Sequence, residues 1–197
     1  RLGTVPAAAH QIAINVATLC FMVPLALAEA TTVRVGHAVG AGEAHRVRRI
    51  ALAGFLVMLA TQSASGLLLW LGNDAIVGLY TRDAAVAGLA ATLLLYAAAF
   101  QFPDGVQVLS AGALRGLKDT RVPMWLAVCA YWGIGMPLGA WLGLGLGGMY
   151  PAMGPRGMWI GLIIGLTAAA LLLGTRFLRA SRAERLVTRI ATAHAGQ

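Results

Sequence analysis

The sequence predicts an all-α fold, a polytopic membrane helix bundle, and three observations carry that expectation. Hydrophobic residues fill 59% of the 197 positions against 11% charged, with a mean hydropathy of +0.77, far from the composition of a soluble domain. The apolar residues gather into five runs, each long enough to cross about 30 Å of hydrocarbon as a helix. Runs of that length are unsuited to strands, and in lipid only a helix satisfies its own backbone groups without closing a barrel.

The first span is expected at about 7–33. His10, Gln11 and Asn15 form a polar set near its outer end, where such residues more often meet the interface or a hydrogen bond than a ligand. Glu29 lies shortly before Arg34 near the other end, so it can reach the interface and pair with a basic residue. After the connection "GHAVGAGEAHR" the second span runs over about 50–72. The connection "GNDAIVGLYTRD" leads to a third span over about 84–114, and "RGLKDTRVP" to a fourth over about 122–147. The glycines of "YWGIGMPLGAWLGLGLGG" (131–148) permit close helix packing, and Pro137 permits a bend. After "GGMYPAMGPRG" comes the fifth span, about 157–175, and then a basic tail, 176–197, suited to an anionic leaflet.

Twelve of the fifteen basic residues fall in the first and third connections and the tail. The opposite side keeps Arg1, Arg82 and Arg156. The positive-inside rule therefore puts the first and third connections and the C-terminus in the cytoplasm. Trp70, Trp159 and Tyr150 fall near the outer ends of spans, where amphipathic rings prefer to sit.

The third span holds the stretch "FQFPDGVQ" (100–107), with Asp104 inside it. Asp104 lies eleven residues before Arg115, hence about 16 Å below the first cytoplasmic charge and near the midplane. A carboxylate there costs about 2.5–3.5 kcal/mol on insertion scales, so it reads by default as an ion or ligand site. The alternative is an acid paired with a neighbouring helix. Pro103 removes a backbone donor and Gly105 weakens the helix, which predicts a kink freeing carbonyls to join the carboxylate around a cation. Gln101 and Gln107 stand three residues to either side, so all three polar groups are expected on one side, as cavity lining or interhelical bonds.

Other functions are disfavoured. The basic residues do not alternate with aromatics as on a nucleic-acid surface, so no nucleic-acid partner is expected. Cys20 and Cys129 sit in apolar runs and match no metal or redox spacing. No nucleophile–base grouping, zinc motif or phosphate loop appears, so neither an enzyme nor a resident metal or other cofactor is expected. With no initiator methionine and five spans, the chain is expected to be the C-terminal part of something longer.

In "AAAHQIAINVATLCFMVPLALAEATTVRVGHAVGAG" (7–42), "FQFPDGVQVLSAGALRGLKDTRVPM" (100–124) and "YWGIGMPLGAWLG" (131–143) with "GMWIGLIIGL" (157–166), the chain resembles the multidrug and toxic compound extrusion (MATE) family. The resemblance implies spans eight to twelve of a twelve-helix, two-lobe antiporter in the bacterial inner membrane. It implies export of drugs or other organic, often cationic, compounds in exchange for Na+ or H+. Asp104 matches the tenth-span acid associated with the cation site, with transient Na+ binding there. Phe100 stands where some relatives carry a tyrosine, and Pro103 where a bulky apolar residue is commoner. The implied partners are the substrate, membrane lipids, and an N-terminal lobe and seventh span outside these residues. A lipid-linked flippase of related architecture would line its cavity with basic groups, whereas the deep charge here is negative. A non-transporting lobe or assembly subunit is the other alternative.

Overall fold

The computed structural model describes residues 3–145 and 151–182. Arg1, Tyr150, Arg185, Arg189 and the rest of the tail beyond Arg182 lie outside the described residues, as do the last positions expected in the fourth span. Among the described residues the chain is helical, without strands, and five helical stretches are long and apolar enough to cross a membrane. It is a multi-pass membrane protein.

Helix α1 (Thr4–Gly40) is followed by a tight turn and α2 (Ala44–Leu71). The sequence reads the whole of 36–46 as a connection, but only Ala41–Glu43 leaves the helix. Hydropathy reports where lipid is tolerated, whereas a helix continues into water until its backbone is turned, here at Gly42 with φ +75°. At about 1.5 Å per residue α1 is about 55 Å long, well beyond the hydrocarbon thickness.

The second connection is also more ordered than expected. Asn73–Tyr80 forms a short helix, α3, which buries Val77. Helix α4 (Ala84–Gly116) then starts on an N-cap, the Asp83 Oδ1 accepting from the N–H groups of Ala85 (2.8 Å) and Val86 (3.2 Å). Replacing this cap by alanine, Asp83→Ala, should destabilise the fold by about 1 kcal/mol, measured by thermal unfolding in detergent.

The fourth span is α5 (Arg121–Val128), a π-helical segment (Cys129–Gly135) and α6 (Met136–Leu144). Pro137 cannot donate to the Gly133 carbonyl and crowds it, and the wider turn relieves that conflict. The Met136 N–H reaches back five residues to the Tyr131 carbonyl. Helix α7 (Pro155–Ala180) completes the described bundle.

Helix α4 is the hub, packing on α1, α2, α3 and α7. Small residues let the backbones approach. A Cβ on Gly112 would stand 2.6 Å from the Ala28 carbonyl oxygen, and one on Gly116 2.8 Å from that of Thr32. The Thr32 hydroxyl lies 2.8 Å from the carbonyls of both Ala28 and Gly112, bridging α1 to α4. The last two spans meet through two glycine rows at every fourth residue, Gly135, Gly139 and Gly143 against Gly157, Gly161 and Gly165. At the end of α4, Asp119 is nearly buried and accepts from Arg176 of α7 at 2.7–2.8 Å. Large apolar side chains such as Leu19, Leu52, Leu67 and Trp132 face outward, as a lipid-solvated surface requires.

Candidate functional site

The site is built around the middle of α4. Asp104 is 7% exposed and makes no hydrogen bond or ion pair with any described residue. Helix α4 runs unbroken through Pro103. The proline still withholds an N–H from the Ala99 carbonyl one turn earlier, so an acceptor is freed without a break.

The three polar residues of "FQFPDGVQ" do not act as one face. Gln101 turns to α2, where its Oε1 accepts from the Ser65 hydroxyl at 2.7 Å and its main-chain carbonyl accepts from Gln62 Nε2 at 3.1 Å. Gly105 follows on that side, against Met58 and Gln62. Asp104 lies within electrostatic reach of Tyr131, on the π-helical segment. Gln107 is half-buried and makes no hydrogen bond to a described residue. The reason is geometric: residues three apart are rotated by about 60° on a helix, enough to assign them to different neighbours when three helices surround one.

Gln62 and Ser65 went unnoticed in the sequence, although "TQSAS" (61–65) is a polar interruption of an apolar span. Gln62 is 1% exposed, and its Oε1, like Gln101 Nε2, is buried with no partner among the described residues. One acceptor and one donor are therefore left open beside the turn that carries Asp104, an arrangement expensive to bury unless something else engages it.

One turn before Asp104, the Phe100 ring meets Trp159 of α7 edge-on at 5.8 Å. His10 of α1 meets the same indole at 5.9 Å. Trp159 is 2% exposed, which corrects its expected place at the membrane interface; Trp70, 62% exposed, is free to take that place. An indole suits an interface or a core equally, and here two neighbouring rings decide it. His10, Tyr131, Trp159, Met136 and Met158 line an apolar cavity of about 380 Å³ between α1, the fourth span and α7.

The remaining polar positions lie elsewhere. Gln11 is exposed, and the exposed Asn15 accepts through Oδ1 from the Tyr80 hydroxyl at 2.8 Å, tying α1 to α3. Glu29 is ion-paired with Arg115 of α4 at 2.8 Å rather than with its own helix. Both partners are largely exposed, so the pair contributes about 0–1 kcal/mol. Among the described residues no group of three or more His, Cys, Asp or Glu could hold a metal ion.

The MatE family model matches residues 1–141, more than half of the chain. The chain belongs to the MatE family. Among its relatives, the probable multidrug resistance protein NorM of Xanthomonas campestris pv. campestris is 69% identical over 182 residues, 92% of this chain and 39% of that protein. The probable multidrug resistance protein NorM of Xanthomonas axonopodis pv. citri is 66% identical over 182 residues, with the same coverage. The crystal structure of the eukaryotic MATE transporter AtDTX14 superposes with a TM-score of 0.84 at 18% identity, covering 94% of this chain and 40% of that one. This MatE chain thus spans about two fifths of the length of the curated relatives it matches.

Proposed function

We propose that these residues form most of the C-terminal lobe, spans eight to twelve, of a two-lobe secondary antiporter. It exports drugs or other organic, often cationic, compounds from the cytoplasm in exchange for Na+ or H+. The observation that carries this reading is Asp104, a buried intramembrane carboxylate with no ion pair or hydrogen bond to a described residue. Such a group is costly in hydrocarbon unless an exchangeable cation neutralises it. Relatives named as multidrug resistance proteins support the cargo class.

Asp104 holds the coupling cation, or a proton at a carboxylate oxygen. The Ala99 carbonyl supplies a second oxygen from the same helix, and Tyr131 of the fourth span lies within electrostatic reach of the acid. Phe100 and Trp159 wall the apolar side of this locus. Cation binding from outside favours a state that holds the organic substrate less firmly, and by linkage the substrate weakens the cation. The protein sits in the bacterial inner membrane with its C-terminus cytoplasmic, as the arginine distribution supports.

The test is efflux of a fluorescent organic cation from proteoliposomes of the family-length protein, under separately imposed Na+ and H+ gradients. The expected result is that one gradient drives the wild type and neither drives Asp104→Asn. Equal gradient response in both proteins would remove Asp104 from coupling. A flippase would move a lipid-linked substrate under no cation gradient.

A further inference from the structure

Between α1 and α2, near the turn that joins them, lies a second cleft of about 390 Å³, whose lining does not include Asp104. Arg34 of α1 and His45, Arg46 and Arg49 of α2 border it on the side of the turn, while Leu27 and Val57 wall it on the side of the span interior. Arg46 is paired with Glu43. Arg34 and Arg49 have no ion pair or hydrogen bond with a described residue. The acids closest in sequence, Glu29 and Glu43, are already engaged by Arg115 and Arg46, and two guanidinium groups stand over an apolar slot.

The slot's polarity is graded along the membrane normal. From Arg46 to Val57 the α2 axis covers about 16 Å, enough to pass from the headgroup level into the acyl region. At the α1–α2 crossing, Gly54 lies against Thr31, a Gly54 Cβ being only 2.8 Å from the threonine hydroxyl oxygen. The two helices touch there and leave the cleft beside the contact. A guanidinium pair selects phosphate through charge-assisted, forked hydrogen bonds. Free phosphate would leave the leucine and valine walls unused, whereas a lipid engages both ends of the cleft.

We infer that this cleft binds an anionic phospholipid, its phosphate between Arg34 and Arg49 and the start of an acyl chain against Leu27 and Val57. The inference rests on the membrane fold and is independent of the transport reading.

The test uses the family-length protein, purified in a mild detergent, and counts bound lipid by native mass spectrometry during titration with phosphatidylglycerol, phosphatidylcholine or inorganic phosphate. Each arginine near an anionic headgroup is worth roughly fivefold in affinity, so Arg34→Gln/Arg49→Gln should weaken one saturable phosphatidylglycerol site by about thirtyfold. Phosphatidylcholine binding should not change, and millimolar phosphate should not displace the lipid. Ile50→Trp, which fills the slot and leaves the charges alone, should also weaken that site, and it decides the matter should the arginine variant misfold. Equal retention of the two lipids by the wild type would overturn the assignment, as would unchanged phosphatidylglycerol binding in well-folded variants. Displacement of the lipid by free phosphate would overturn the lipid as the source of the anion.

Discussion

Gly161→Val is expected to abolish docking of the last span and with it the yield of folded protein. A Cβ at Gly161 would stand 2.3 Å from both the N and Cα of Gly139, and 2.8 Å from the Gly135 carbonyl oxygen. These are backbone atoms, which cannot swing aside as a side chain can. Relief requires α6 and α7 to separate, and the glycine rows above and below separate with them. Overpacking of a tight core costs about 1–3 kcal/mol even where side chains give way, so more than about 3 kcal/mol is expected here. The measurement is detergent-solubilised monodisperse yield by size exclusion. Gly88→Ala on α4 is the control: nothing lies within 4 Å of its Cβ position, so its yield should equal the wild type. If Gly161→Val eluted like Gly88→Ala, the glycine contact would not hold the two spans together.

The second large effect concerns Asp104. Asparagine keeps the volume and removes the charge, so packing around the 7%-exposed side chain survives while the cation loses its anionic ligand. Coupling free energies between two ligands typically correspond to about 5- to 150-fold, and that whole factor is at stake. In Asp104→Asn the affinity for the organic substrate should become independent of the coupling cation, read by fluorescence-anisotropy titration with and without that cation. Asp104→Glu keeps the charge and should retain part of the dependence. A substrate affinity that still shifts with the cation in the asparagine variant, by the wild-type factor, would place the coupling elsewhere.

Five spans were legible because hydropathy integrates over about 19 residues and forgives local detail. Their ends were not, because the turns at Gly42 and around Lys118, at φ +58°, are set by backbone conformation rather than by polarity. Helix α3 looked like a connection because Asn73, Asp74 and Gly78 are turn-forming residues, and burial of Val77 overrides that impression. At the site, Asp104 announced itself by its cost in hydrocarbon. Its neighbours did not: Tyr131 and Trp159 read as ordinary membrane aromatics until the π-helical turn and the His10 and Phe100 rings give them partners. Pro103 stands inside one continuous helix, while the π-helical irregularity falls ahead of Pro137, in the fourth span.

The central claim is that Asp104 carries the exchanged cation, and direct displacement tests it without any assumption about transport. Purified family-length protein in weakly buffered detergent, with bound Na+ followed by a radioactive tracer and H+ by a pH dye, is mixed with an organic cation. The account predicts that the wild type releases Na+ or H+ as substrate binds, and that Asp104→Asn binds substrate and releases neither. Release of the same amount by the asparagine variant would contradict it.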